Sequence, residues 1–294
     1  MFCPVCHQPI PPDTSDCISC RLKREHNLYQ DPPIDAYLNQ ELPIDVYLPV
    51  FETVITALKV LWQRRMTIIW ALLPTFSLLL LADYFSAFRA KAMLAERNLL
   101  SLPLVSLILI GTSGILTLFT VTAHRLILSG ESGVPKYGLF RWTNRETHFW
   151  LVTACLSAYL ILITFPLLFV FRQVPKNALF WFFIFLPGQY VFVRLSLLLP
   201  GVAMGQYRPH KWAWQLTKGN TLALMILLYL IPFPLLRLTI PILDSDSHLT
   251  YLIGAALRHM IILFEIAILC LSYNYLTTRI YQPEHSMRPL QHST

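Results

Sequence analysis

Four cysteines open the chain as two closely spaced pairs, Cys3-Pro4-Val5-Cys6 and Cys17-Ile18-Ser19-Cys20. A Cys-x2-Cys turn presents two sulfurs to one side of an ion. A second such turn completes a tetrahedral shell of four thiolates, the set zinc takes in structural sites. Two disulfides or free thiols are the other states open to these residues, and disulfides need an oxidising compartment. His7 follows Cys6 directly, is poorly placed as a further ligand, and is expected to face solvent. The expected cofactor is therefore one structural zinc ion on Cys3, Cys6, Cys17 and Cys20.

Ten residues, His7 to Asp16, separate the knuckles, and Pro9, Pro11, Pro12 and Asp13 are suited to a tight connection. Over residues 1–24 this spacing resembles the minimal bacterial zinc ribbon, two knuckles joined by one hairpin. The sequence departs from that pattern at His7 and Arg21, where a glycine often follows the knuckle. So short a segment cannot bury a core of its own. Metal binding, about 10–16 kcal/mol in zinc-finger peptides, would supply the folding energy.

A second set of chemical groups lies inside apolar runs, where ionisable side chains are costly and are functional candidates by default. Arg194 and Glu265 fall at depths that differ by about 3 Å at 1.5 Å per residue, and they are expected to pair or share one polar cluster. Arg258, Glu265, Ser272 and Arg279 recur every seventh residue. Seven residues drift only about 20° around a helix, so these four form one polar stripe that should face other helices. Arg237 and Arg258 are expected to snorkel outward or to reach Asp244 and Asp246. Two readings fit such a cluster. One is a packing network around a buried ion pair, which is the favoured one. The other is a substrate or proton path. His259 lies on a different face from Glu265, and Cys155 and Cys270 read as packing residues. There is no His-Glu-x-x-His, Walker loop or Gly-x-Ser-x-Gly, so no enzyme is expected.

The elements that must hold these groups are membrane spans. Hydrophobic residues make up 55% of the 294 and charged residues 13%, about half the charged share of a soluble domain. The fold class expected is an all-α integral membrane protein of about six transmembrane helices with cytoplasmic interfacial helices, plus the small zinc ribbon. Spans of roughly 20 residues are expected at 66–83, 100–123, 149–171, 178–200, 221–243 and 251–275. The first apolar run starts near Met66, too late for a secretory signal. With the N-terminus inside, fifteen of the 23 Lys and Arg flank that side, five lie in the outer loops, and Arg194, Arg237 and Arg258 lie within spans. The positive-inside rule then places both termini, and the four cysteines, in a reducing cytoplasm. The net charge of +7 suits anionic lipid headgroups, and no nucleic-acid partner is expected.

The domain division expected is a zinc ribbon over 1–24, a Pro-rich linker over 25–48, a membrane domain over 49–279 and a disordered tail over 280–294. The linker repeats Pro33-Ile34-Asp35-Ala36-Tyr37-Leu38 as Pro43-Ile44-Asp45-Val46-Tyr47-Leu48. Residues 49–63 carry Phe51, Val54, Ile55, Leu58, Leu61 and Trp62 at helical spacing and read as a helix lying in the inner interface. Basic and aromatic stretches around Trp142 and around Trp212 and Trp214 precede the third and fifth spans. The membrane domain thus reads as three two-helix units. Units two and three echo each other in Tyr159-Leu160-Ile161 before Phe165-Pro166-Leu167-Leu168, and Tyr229-Leu230-Ile231 before Phe233-Pro234-Leu235-Leu236.

The stretch Arg194-Leu195-Ser196-Leu197-Leu198-Leu199-Pro200, followed by Trp212-Ala213-Trp214-Gln215-Leu216-Thr217-Lys218-Gly219, resembles the bacterial inner-membrane proteins related to the membrane domain of some glycerophosphodiester phosphodiesterases. The resemblance implies a multi-pass helical protein of the bacterial inner membrane. It does not imply phosphodiesterase activity, which belongs to a soluble domain this chain lacks. It implies that Arg194 anchors the inner end of its span and that Trp212 and Trp214 sit at headgroup level. The function expected is a non-enzymatic inner-membrane protein whose zinc ribbon binds a cytoplasmic protein partner or stabilises the N-terminus. The alternative is a transporter or lipid-handling protein working through Arg194 and Glu265.

Overall fold

The computed structural model describes residues 47–96, 102–130, 134, 142–170, 178–206, 210–243, 245 and 247–281. The cysteine knuckles, the linker up to residue 46, Asp244, Asp246 and the tail beyond Tyr281 lie outside the described residues. Regular structure among the described residues is entirely helical: α1 (Val50–Gln63), α2 (Arg65–Glu96), α3 (Leu102–Ser129), α4 (Asn144–Val170), α5 (Ala178–Ser196), α6 (Leu198–Ala203), α7 (His210–Leu216), α8 (Thr221–Met225), a π-helical turn (Ile226–Leu230), α9 (Pro232–Leu243) and α10 (His248–Tyr281).

Among the described residues six segments are long and apolar enough to cross a bilayer: Arg65–Ala87, Ser106–Ser129, Asn144–Leu167, Leu186–Ala203, Thr221–Leu243 and His248–Thr278. The chain is a multi-pass helical membrane protein with the expected number of spans. Its tertiary contacts fit strict alternation. Arg64 meets Leu126 and Ile127, Leu48 meets Asn220, and Tyr273 meets Gln206, all at one end of the bundle. Asp83 meets Arg258 and Tyr84 meets His248 at the other.

The second and third spans start later and earlier, respectively, than hydropathy suggested. The third begins at Asn144 because Thr143 and Glu146 form a reciprocal cap. The Thr143 backbone N–H donates to Glu146 Oε2 at 2.8 Å, the Thr143 hydroxyl donates to the same oxygen, and Arg145 N–H donates to Thr143 Oγ1 at 3.3 Å. This is a capping box. It lets Glu146 be 1% exposed without an uncompensated charge, since helix N-termini favour anions.

Proline shapes the enclosed spans. Pro200 offers no N–H and its ring crowds the Ser196 carbonyl, and the chain breaks at Leu197 between α5 and α6. All six residues of α6 are buried, so the end of the fourth span lies within the core. Before Pro232 the fifth span widens by one residue, with Ile231 N–H donating to the Ile226 carbonyl at 2.9 Å. That π turn absorbs the missing donor.

α1 packs on α10 with Thr53 and Ala57 buried, and both of its ends are pinned. Leu48 N–H donates to Asn220 Oδ1 at 2.7 Å, and the Tyr275 hydroxyl donates to the Tyr47 carbonyl at 3.2 Å. At the far end Arg64 Nη1 donates to the carbonyls of Leu126 at 2.9 Å and Ile127 at 3.2 Å. A guanidinium there satisfies orphan carbonyls and complements the negative end of α3. Gly130, at φ +69°, turns the chain away from it in the left-handed conformation that glycine adopts without strain.

Candidate functional site

The polar groups of the bundle gather at three places. Toward the α1 end, Arg194 is 8% exposed on the most enclosed span. Its Nε donates to Thr217 Oγ1 at 3.1 Å, Nη1 to the Tyr190 hydroxyl at 3.3 Å and Nη2 to the Trp214 carbonyl at 2.5 Å. The guanidinium carbon stands 3.8 Å from the centre of a Trp214 ring. Because α6 carries the fourth span on to Ala203, α7 folds back beside α5 and ends against Arg194. The arginine therefore caps α7, supplying a donor to the Trp214 carbonyl near its C-terminal end.

Arg194 and Glu265 do not pair, contrary to the expectation from their depths. Glu265 is partly buried on α10 and makes no hydrogen bond or ion pair among the described residues. Matching depths put two groups on one level but not on facing sides, and α7 reaches Arg194 first. Ser272 is fully buried with its hydroxyl unpartnered. The Arg279 side chain is outside the described ones. The heptad stripe is thus present on α10 without forming one cluster.

At the opposite end the structure brings together residues that sequence reasoning kept apart. Asp83 of α2 accepts from Arg258 Nη2 at 2.5 Å and lies 2.8 Å from His259 Nε2. The Tyr251 hydroxyl donates to the Asp83 backbone carbonyl at 3.0 Å. Arg258 therefore finds Asp83 rather than snorkelling free, and the loop acids Asp244 and Asp246, also expected as its partners, lie outside the described residues. The signal was available. Asp83 lies eighteen residues from Arg65, and Arg258 twenty from Thr278, about 27 and 30 Å along their helices, so the two share a level. Both fall near the edge of a hydrocarbon core about 30 Å thick. The His259 ring is 3% exposed and sits beside Phe76 and Phe119, with centroids at 6.0 and 6.4 Å. Its Nδ1 is buried without a hydrogen-bond partner. The carboxylate fixes the ring through Nε2, and the bare nitrogen is an unused acceptor or proton site.

On α3, five residues before Ser129, His124 is fully buried, with Nδ1 3.0 Å from Cys270 Sγ on α10 and Nε2 without a partner among the described residues. Cys270 is a packing residue with one polar neighbour, and Cys155 is exposed. Arg237 lies over the Phe233 ring at 5.3 Å. The three tryptophans divide. Trp142 is 43% exposed and donates to Thr147 Oγ1 at 2.8 Å, and Trp214 is 38% exposed beneath Arg194. Trp212 is 7% exposed, with its ring 6.1 Å from Tyr273. It faces the bundle because α7 packs inward. Among the described residues no three His, Cys, Asp or Glu side chains converge to hold a metal. The zinc expectation rests on the four cysteines outside them.

No protein-family model matches the chain, and no curated protein and no solved structure is similar to it.

Proposed function

We propose that the chain is an inner-membrane anchor, with both termini cytoplasmic, that displays a cytoplasmic zinc ribbon to a protein partner. The observation that carries the anchor half is how the basic side chains at its helix junctions are used. Arg194 caps α7, Arg64 caps α3, and Arg258 and His259 are held by Asp83. Each ties one helix of the bundle to another, the work of a rigid scaffold. The ribbon half rests on Cys3, Cys6, Cys17 and Cys20, whose spacing suits one zinc ion and whose segment lacks the catalytic motifs an enzyme would need. The likeness to the membrane domain of the glycerophosphodiester phosphodiesterase group belongs to the same reading and adds no reaction.

Elemental analysis of the purified full-length chain should find one zinc per chain, lost together in Cys3→Ser and Cys17→Ser. Photo-crosslinkers placed at residues 8–16 in living cells should capture one protein from the wild-type chain and not from those variants. Zinc-independent capture, or zinc absent from the wild type, would overturn the reading.

One observation favours a transporter or lipid-handling protein instead. Glu265 is an acid within a span that makes no hydrogen bond or ion pair among the described residues, a costly placement for a mere strut. Arg194 no longer supports that alternative as a partner to it. If the alternative holds, Glu265→Gln abolishes substrate or proton flux in proteoliposomes while the fold survives. If the anchor reading holds, that variant is stabilised and no flux is there to lose.

A further inference from the structure

α1 has two faces, and only one is used by the protein. Thr53 and Ala57 are buried against the bundle. On the other face Phe51 is 80% exposed, Ile55 53%, Leu58 54% and Trp62 70%, spaced so that they form one stripe. Because its first residues are tied to Asn220 and Tyr275 and its last to the end of α3, this helix of about 21 Å cannot swing away. It lies across the boundary at the end of the bundle where the second and sixth spans finish and the fifth begins. The stripe runs on into Met66, Ile69, Trp70 and Leu73 of the first span, each also exposed, a surface that lipid covers. An apolar stripe continuous with the lipid-facing surface at that level belongs among acyl chains.

Cations flank the end of this stripe that joins the first span. Lys59 is exposed one turn before Trp62. Arg65, three residues after it, donates from Nη1 to the Trp62 carbonyl at 3.1 Å and sets its guanidinium carbon 4.7 Å from the indole ring. Neither Lys59 nor Arg65 makes an ion pair among the described residues. Arg64 is committed to α3, and the acid of α1, Glu52, lies near the other end.

We propose that Lys59, Trp62 and Arg65 form a binding site for the phosphodiester headgroup of an anionic phospholipid, whose acyl chains lie along Phe51, Ile55 and Leu58. The two cations supply charge and donors to the phosphate, and the indole sets the depth at the headgroup boundary. The site rests on the membrane-span reading and is independent of the zinc-dependent partner proposed above.

The test uses the full-length chain in nanodiscs of phosphatidylcholine with about one-third phosphatidylglycerol, with bound lipid counted by native mass spectrometry across a titration. Each basic residue near an anionic surface contributes about fivefold, so Lys59→Gln/Arg65→Gln should weaken phosphatidylglycerol binding roughly 30-fold. Lys59→Arg/Arg65→Lys, with both charges kept, should bind within a few fold of wild type. A photo-crosslinker at Ile55 should label lipid. Unchanged phosphatidylglycerol affinity in the Gln pair overturns the site. So does equal competition by soluble glycerophosphate, or an Ile55 adduct to a second copy of the chain or to another protein.

Discussion

Removing the Asp83 carboxylate tests which contact joins α2 to α10. It leaves His259 Nε2 without its acceptor at a side chain 4% exposed, and Arg258 without a counterion at one 36% exposed. Interhelical hydrogen bonds inside a membrane protein average about 0.6 kcal/mol in double-mutant cycles and reach about 1.7 kcal/mol. An ionised partner roughly doubles such a bond, so the Asp83–His259 coupling should be about 2 kcal/mol. Arg258 is exposed enough to find lipid phosphate or water, and its coupling should fall below about 1 kcal/mol despite the shorter distance. The assay is unfolding in mixed detergent micelles for Asp83→Ala, His259→Phe, Arg258→Leu and the two double variants. The His259→Phe background should erase most of the cost of Asp83→Ala, because replacing both partners leaves no buried orphan, Arg258 being partly exposed. Asp83→Asn, which keeps an acceptor oxygen, should retain about half of the His259 coupling. A coupling to Arg258 larger than that to His259 would refute the burial argument. A coupling to His259 below about 0.5 kcal/mol would refute the contact itself as a source of stability.

Three further perturbations probe other joints. Arg194→Ala should cost about 2–4 kcal/mol from lost charged hydrogen bonds and stacking, moderated because Thr217 Oγ1 still donates to the Trp214 carbonyl at 3.1 Å. Arg194→Lys should recover less than half of that, and unfolding by detergent reads both; full rescue by Lys would mean that charge alone mattered, not the planar fork. Gly254→Val should destabilise by about 1–3 kcal/mol, since a Cβ there would meet Ile242 Cγ2 at 3.0 Å and Leu243 Cγ and Cδ2 at 3.2 Å. Gly111→Ala, with nothing within 4 Å, should be neutral or mildly stabilising, and thermal shift of the pair separates crowding from backbone effects. Asn220→Ala should orphan the buried Leu48 N–H at a cost of about 1–3 kcal/mol and raise amide exchange over residues 48–53, while exchange at the Arg64 end stays unchanged.

The sequence carried strong information along the membrane normal and weak information around each helix. Hydropathy placed six spans, and depth counting put Arg194 and Glu265 on nearby levels. Yet the same arithmetic, applied to the acid at the end of the first span, puts Asp83 level with Arg258, and that is the pair the fold forms. Depth is a one-dimensional coordinate set by about 1.5 Å of rise per residue. Which side of a helix meets which neighbour depends on packing that hydropathy does not encode. Where a short-range rule existed, the signal was local and legible. Thr143-Asn144-Arg145-Glu146 is a capping-box sequence ahead of an apolar run, and reading the stretch only as basic and aromatic set the start of the third span at 149 instead of 144. Arg194 shows the opposite limit. Its position in a span marked it as a candidate for transport, but α7 folds back to present the Trp214 carbonyl and Thr217, a tertiary event with no local signature. A buried arginine in a helical membrane protein can therefore be as much a helix cap as a substrate site. The groups left without such an explanation among the described residues include Glu265, the bare Nδ1 of His259, Nε2 of His124 and the Ser272 hydroxyl, and chemistry within this bundle would draw on groups of this kind.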